Sequence, residues 1–372
     1  MSKKENIRIF VDCHVFDGGF QGTRSYIKGL YSELVKDRSK QFFLASHDIE
    51  KLRLEFGQRE NITYVRYASA NKFFRLLVET PRLIKTHRID FAHFQYRVPP
   101  IKYCKYIVTT HDVLFENFPE YFPRMNRLSS LVTYKYSARK SEIVLTVSSY
   151  AKQEIADHLG VPDSVITPNG VDERFFEDYD KQLVRQTVKE KFGLDNYLIY
   201  ISRREPRKNQ HLLMKYFAEC KLYEKMQLVF LGHETFRNRE FDAVWNSLDE
   251  NARQNTLLIE HVGLDNMLLL LRGAKASAYP SIAEGFGIPP LEAVAARIPT
   301  ICSNKTAMAD FTFFGDDFFD PYDEKQFKEK LLKVATETAD EAQLQRRRQI
   351  VKETYNWQNA ARIFNRELEK FL

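Results

Sequence analysis

The sequence predicts an α/β protein made of two doubly wound parallel-sheet domains. Three observations carry this expectation. Short apolar segments alternate with helix-periodic ones along most of the chain. The alternation runs twice, on either side of a charged stretch at 173–192 that reads as a connector. A length of 372 residues suits two domains rather than one. Domains of this kind take ligands beyond the carboxyl ends of their strands, so the site is expected in the cleft between them.

The elements follow in order. Ile7–Asp12 reads as the first strand, followed by Gly18, Gly19 and Gly22 and then a helical pattern through Tyr26, Leu30 and Leu34. Segments 42–46, 62–65 and 91–94 are further short strands. Tyr106–Thr110 is a strand that ends at His111-Asp112. Ile143–Val147 ends at Ser148-Ser149, a helix N-cap signal, and Val165-Ile166 leads into the turn Pro168-Asn-Gly-Val-Asp172. The second series has strands at 197–201, 227–232, 257–259, 276–280 and 300–302. From Lys325 onward the pattern is helical, with a packing helix after Asn356. The expected domains are 1–172 and 173–355, with a terminal helix at 356–372.

Composition excludes several classes. Hydrophobic residues make up 44%, yet no run approaches the roughly 18 apolar residues of a membrane span. The opening Met-Ser-Lys-Lys-Glu-Asn lacks the apolar core of a signal peptide, which favours a cytoplasmic location. Cys13, Cys104, Cys220 and Cys302 are scattered without a CxxC pair, as expected of reduced, packed thiols rather than a metal site. The net charge is +6, and residues 1–172 carry the excess, with 26 Lys and Arg against 19 Asp and Glu. A basic half can meet an anionic partner, a membrane surface or nucleic acid, or simply be a solvated surface.

The most informative stretch is Ser281-Ile-Ala-Glu-Gly-Phe-Gly-Ile-Pro-Pro-Leu-Glu292. It follows a buried strand and opens a helix. Gly285 and Gly287 let backbone N–H groups approach a ligand, and Pro289 and Pro290 suit a first helical turn. A glycine loop feeding a helix N-terminus binds anions. A carboxylate in that first turn would repel phosphate unless it bound a hydroxyl, so Glu284 and Glu292 point to a ligand with both phosphate and sugar hydroxyls. The alternative is a surface loop with one solvated and one capping glutamate.

Ser202-Arg-Arg-Glu-Pro-Arg-Lys-Asn209 places four cations at a strand end, where they form an anion cradle for a diphosphate leaving group. His111-Asp112 is either a polar pair facing the sugar or a capping aspartate beside a satisfied histidine. His93 reads as packed. The loop Gly18-Gly-Phe-Gln-Gly-Thr23 is not GxGxxG, and no GxxxxGK[ST] occurs, so a dinucleotide fingerprint is not supported. Asn71–Lys85 mixes cations with apolar residues. A packed helix with a wet basic face is favoured there over a helix lying on an anionic membrane. Arg346-Arg-Arg348 reads as a solvated helix face.

With these residues in view, the chain resembles the family-4 retaining glycosyltransferases of the GT-B fold, two Rossmann-like domains facing across a cleft. The resemblance rests on Glu284-Gly-Phe-Gly-Ile-Pro-Pro-Leu-Glu-Ala293, Glu205-Pro-Arg-Lys-Asn209, Pro168-Asn-Gly-Val-Asp172, and His111-Asp112 with Phe118-Pro-Glu-Tyr-Phe122. The subgroup is similar to mannosyltransferases of O-antigen and capsule synthesis. It implies that Glu284 meets the donor sugar and that Arg203 and Lys208 hold the diphosphate, with Arg207 as helper. It implies that Gly285, Phe286, Gly287 and Ile288 contact the donor, that Glu292 binds the ribose hydroxyls, and that His111 reaches the sugar from the other domain. Gly22 would lie near the donor, and the terminal helix would cross back to the first, acceptor-binding domain.

Three departures stand out. Arg24 follows Gly22-Thr23 where relatives often carry a second glycine. Ala307-Met-Ala-Asp310 replaces Leu-Pro-Glu-Val. Ala295-Ala-Arg-Ile298 replaces a small-residue-Gly pair, a change expected to be without consequence. The implied activity is transfer of a hexose, with GDP-mannose favoured as donor, to a saccharide or lipid-linked acceptor without a metal cofactor. Contact with the inner membrane is part of that expectation, and nucleic-acid binding is not. The rivals are a sugar-nucleotide epimerase of the same fold and a non-catalytic sugar-nucleotide-binding subunit.

Overall fold

The strand-forming runs are short and mainly apolar, as expected of strands covered on both faces. The computed structural model describes residues 6–18 and 22–372. Gly19 and the rest of segment 19–21 in the expected glycine loop lie outside them. Contacts divide the chain into two units, Met1–Gly170 with Asn356–Leu372, and Val171–Tyr355. At the division the Val171 N–H donates to the Tyr355 carbonyl over 2.9 Å.

The first unit holds β1 (Ile7–Asp12), β2 (Lys40–Ser46), β3 (Ile62–Arg66), β4 (Phe91–Gln95), β5 (Lys105–Thr109), β6 (Ile143–Thr146) and β7 (Val165–Ile166). Their order is β3-β2-β1-β4-β5-β6-β7, all parallel. The second unit holds β8 (Tyr197–Ile201), β9 (Gln227–Leu231), β10 (Thr256–Ile259), β11 (Ala276–Tyr279), β12 (Thr300–Ser303) and β13 (Phe318–Phe319), in the order β10-β9-β8-β11-β12-β13 and again parallel. In each sheet the strand order reverses beside the first strand of the series, between β1 and β4 and between β8 and β11. A crevice opens at such a switch point because successive connections diverge to opposite faces.

The terminal helix Trp357–Glu369 belongs to the first unit. Asn356 caps it, accepting from the Asn359 N–H at 2.8 Å. Ala360, Ala361, Phe364 and Leu368 form its buried stripe, and Phe364 packs against Tyr31 and His93 at 6.1 and 5.6 Å between ring centroids. Burial of a side chain such as Phe364 or Leu368 contributes about 1.5–3 kcal/mol each. Trp357 lies against two glycines. A Cβ on Gly29 would fall 1.9 Å from the Trp357 ring, and one on Gly170 2.7 Å from its backbone nitrogen. Gly29 is inside the helix Gly22–Leu34, where glycine costs about 1 kcal/mol relative to alanine. The indole it admits accounts for its presence.

Several expectations are corrected. Segment 173–192 is not a bare connector. Lys181–Phe192 is a helix, capped by Asp180 at one end and by left-handed Gly193 at the other. Its only fully buried residue is Val188, so its apolar period was too thin to read. Strand β13 was missed because it has two residues. Arg347 is buried rather than solvated. It donates to the Phe313 and Phe314 carbonyls at 3.0 and 2.6 Å and to Asp317 at 2.6 Å.

Asn71–Lys85 also departs from the favoured reading. Lys72–Thr86 is helical, but Phe73, Phe74, Leu77 and Val78 are exposed, Phe73 by 65%. A π-turn at Arg75–Glu79 precedes Pro81. Pro81 has no N–H to continue the α-helical ladder, and the wider turn absorbs the break.

Candidate active site

Both loops of interest leave the second sheet at its switch point. β8 runs into Ser202–Asn209, and β11 into Pro280–Gly287. Tyr200, near the end of β8, ties them together. Its hydroxyl donates to the Lys208 carbonyl at 2.8 Å and lies 3.0 Å from Ser281 Oγ. The Ile282 N–H donates to the Arg207 carbonyl at 2.8 Å, and this backbone bond pins the two loops to each other.

Within this frame the side chains form one ionic cluster. Glu284 Oε1 pairs with Lys208 Nζ, and Glu284 Oε2 accepts from Arg207 Nη1 at 3.1 Å. Arg207 also donates to the Ala283 carbonyl at 2.6 Å and pairs with Glu205 at 2.8 Å. Arg203 reaches the same Glu205 at 3.2 Å from an exposed position. Burial alone would raise the Glu284 carboxyl, but the charges of Lys208 and Arg207 outweigh it and hold the group down to about 2. Burial pulls Lys208 below the usual lysine range, against the attraction of Glu284. The expected cradle of four cations is corrected to three balanced by two carboxylates. Arg204 turns away, donating to Glu260 at 2.8 Å and to the Gly232 carbonyl at 3.2 Å.

The glycine turn supports this cluster. Gly287 has φ +98°, and a Cβ there would lie 2.9 Å from Met308 Cγ. Phe286 is buried edge-on to Phe311 and Tyr355, with ring centroids 5.7 and 5.9 Å away. The ring is therefore part of the packing beneath the turn. Gly285 and Ile288 are half-buried, and Ile288 opens the helix Ile288–Ala295. Glu292 is the fifth residue of that helix, so it stands in the second turn and not in the first as the sequence suggested. Desolvation, with the nearby charge of Asp172, pushes its carboxyl up to about 8.

The remaining expected residues, His111 and Gly22, belong to the first unit. His111 follows β5 and is buried, with Nε2 2.7 Å from Gln95 Oε1. Burial lowers it to about 3, so the ring is neutral. Gly22 opens the first helix. Arg24, the departure beside it, bonds Glu55 at 2.7 Å and stacks over Phe16. Arg297 replaces glycine with a visible consequence. Its φ is +58°, a left-handed value unfavourable for arginine, and its guanidinium lies over the Tyr179 ring at 5.3 Å.

Sequence reasoning missed three participants. Glu205 bridges two of the cations. Thr306, after β12, accepts from the Glu284 N–H through Oγ1 at 2.9 Å. Asn209 is fully buried in a left-handed conformation, and neither end of its carboxamide has a hydrogen-bond partner. Attention to every strand end, β12 included, would have found Thr306.

The second sheet thus carries a cluster of fixed ions at its switch point, the place where doubly wound sheets bind ligands. Residues 184–357 match the family model of glycosyl transferases group 1, and residues 20–175 match that of glycosyltransferase family 4. The chain belongs to these glycosyltransferases and has the GT-B fold. It is an enzyme of the hexosyltransferase class that uses a nucleotide-sugar donor and a saccharide acceptor.

The chain is similar to O-antigen chain mannosyltransferase B of Escherichia coli, 25% identical over 311 residues that cover 76% of this chain and 80% of that protein. It is 26% identical over 258 residues to the serotype-specific mannosyltransferase WbdA of Escherichia coli, covering 66% of this chain and 30% of that longer protein. Sucrose-phosphate synthase from Thermosynechococcus elongatus shares the fold with a TM-score of 0.75 at 15% identity, over 99% of both chains.

Proposed function

We propose that this enzyme transfers mannose from GDP-mannose to a saccharide or lipid-linked saccharide acceptor, with retained anomeric configuration, in the synthesis of a surface polysaccharide. The observation that carries the reading is the pairing of Glu284 with Lys208 and Arg207 beside the Gly285–Gly287 turn. In this reading Arg203, Lys208 and Arg207 bind the diphosphate, aided by N–H groups of the turn, and Glu284 meets the sugar. Glu292 accepts from the ribose hydroxyls, and His111 reaches the sugar from the first unit. The mannosyl donor and the polysaccharide product are taken from what the relatives are named for.

The bond from the anomeric carbon to the diphosphate oxygen breaks while a bond to the acceptor oxygen forms on the same face. The acceptor proton passes to the departing phosphate oxygen. Positive charge builds on the sugar as in glycoside hydrolysis. The fixed cations compensate the leaving diphosphate, the part a metal would otherwise take. Glu284 is ionised but bound to two cations, which suits electrostatic support better than nucleophilic attack. Glu284→Gln retains the shape of the cluster and is expected to cut turnover by about 10²–10³. Assays with GDP-mannose and acceptor test this, and NMR of the product reads its anomeric configuration. A folded Glu284→Gln enzyme with wild-type turnover, or an inverted product, sinks the reading.

The same proposal places the enzyme at the cytoplasmic face of a membrane. Among the described residues no helix is long and apolar enough to cross one. The helix Arg124–Lys140 contains five cations and no acid, and exposes Met125, Leu128, Val132 and Tyr136. Together with Phe73, Phe74, Leu77 and Val78 this gives apolar groups among cations, the composition that binds anionic lipid. Co-sedimentation with anionic vesicles should be lost in Phe73→Ser/Leu77→Ser/Leu128→Ser. Equal sedimentation of that variant and the wild type rejects this surface.

A further inference from the structure

A buried polar chain runs beneath His111 and has no part in the scheme above. Gln95 ends β4, and Thr109 lies opposite it on β5. His93 precedes Gln95 by two positions, so both side chains leave the same face of the strand. Gln95 presents its oxygen to His111 Nε2 at 2.7 Å and its nitrogen to His93 Nε2 at 3.4 Å. His93 Nε2 is also 2.8 Å from Thr109 Oγ1, and His93 Nδ1 is 2.8 Å from the Tyr31 hydroxyl. Tyr26 stands edge-on to the His111 ring at 5.0 Å, and Tyr96 packs at 5.4 Å. Among the described residues Gln95 is the one hydrogen-bond partner of the His111 ring.

We propose that Gln95 is a positioning residue that fixes His111 in the Nε2–H tautomer, leaving a lone pair on Nδ1 for a hydroxyl of the bound sugar. A carboxamide has one accepting end and one donating end. With the oxygen toward His111, the facing Nε2 must carry hydrogen. With the nitrogen toward His93, the facing Nε2 must be bare, and the Thr109 hydroxyl gives its one proton to that nitrogen at 2.8 Å rather than to the Tyr26 hydroxyl at 3.5 Å. The proton of His93 then sits on Nδ1 and is donated to the Tyr31 oxygen. This order satisfies the four contacts together, and reversing it at either ring requires the Gln95 amide to turn over. Burial lowers both imidazoles to about 3, so neither becomes an imidazolium that would donate from both nitrogens. His111 thus meets the sugar as a neutral acceptor. Its place at the sugar rests on the proposed function, whereas the tautomer does not.

The test is long-range proton–nitrogen NMR on the full chain labelled with nitrogen-15 histidine, with His111 assigned by comparison with His111→Ala. The expected spectrum shows His111 protonated at Nε2 and bare at Nδ1. Gln95→Met removes both ends of the amide and should give mixed tautomers. Its turnover should fall about tenfold, the loss of roughly one hydrogen bond, with the KM for the nucleotide sugar unchanged. Gln95→Glu keeps the accepting oxygen but adds charge, and should protonate both His111 nitrogens near neutral pH. Wild-type His111 protonated on Nδ1, or an unchanged His111 pattern in folded Gln95→Met, overturns the proposal. If the tautomer is as stated but His111→Ala transfers sugar at the wild-type rate, the positioning stands and the placement of His111 at the sugar fails.

Discussion

The two sheets end in different kinds of chemistry. Beyond β4 and β5 the groups hydrogen-bonded to His111 and His93 are neutral, with both histidines lowered to about 3 by burial. Beyond β8 and β11 the groups are ions, and neighbouring cations keep Glu284 charged against its own burial. The contrast shows how one architecture serves two needs. Neutral donors and acceptors select hydroxyls by direction, because their interactions are short-ranged. Fixed charges hold a diphosphate and compensate it as it leaves, because their interactions strengthen where water is excluded. Under the proposed function the first unit supplies geometry and the second supplies field.

The strongest way to break this contrast is to discharge the second sheet. Lys208→Ala should lower turnover by about 10²–10³ in a donor-consumption assay. It should also lower stability by about 3–5 kcal/mol in denaturant titration, because Glu284 loses a buried partner. Gly287→Ala tests the turn itself. The strained φ and the contact with Met308 predict a loss of about 2–3 kcal/mol by the same titration. Glu292→Gln separates binding from stability. Its carboxyl rises from 4.5 unfolded to about 8 folded. Ionisation therefore opposes the fold, and stability held below pH 4.5 drains away as pH climbs toward 8. The amide should raise the melting temperature at pH 8, at about 2–4 °C per kcal/mol recovered, with little change at pH 4.5. Calorimetry at both values checks this, and nucleotide affinity should fall about tenfold in the same protein, the loss of roughly one hydrogen bond. The smallest effect belongs to the first sheet. With His111 neutral down to about 3, the pH–rate profile of Glu292→Gln should show no inflection near 6.5. One at that pH that vanishes in His111→Ala would place a titrating histidine in the reaction.

Much of the fold was legible because parallel strands buried on both faces leave short, mainly apolar runs, such as Tyr197–Ile201 and Ile7–Asp12, between more polar helix-periodic stretches. The helix Lys181–Phe192 was not, because it buries so little that its apolar stripe is nearly absent. At the site, residue types at strand ends drew attention to Arg207, Lys208 and Glu284. The contacts between the two loops were not visible, since Lys208 and Glu284 stand 76 positions apart. Nor could the sequence show that Arg204 faces away from its neighbours, or that Arg347 is buried. Both depend on partners supplied by distant segments, Glu260 for one and Asp317 for the other. Exposure along 72–79 was hidden for the same reason, because an apolar residue carries no mark of the face it will occupy.

The seat that Gly29 and Gly170 provide for Trp357 sets a timetable for synthesis. The sheet of the first unit is encoded before Val171–Tyr355, yet the helix that covers Tyr31 and His93 is encoded after the whole of that segment. At about 5–20 residues per second the gap is on the order of ten seconds or more. During that interval the nascent first unit has an uncovered apolar groove, and the second unit can complete its own sheet first. A segment made after the whole second unit would therefore be the one that completes the first. A chain arrested before residue 356 should be a stronger chaperone client than one that includes residues 356–372.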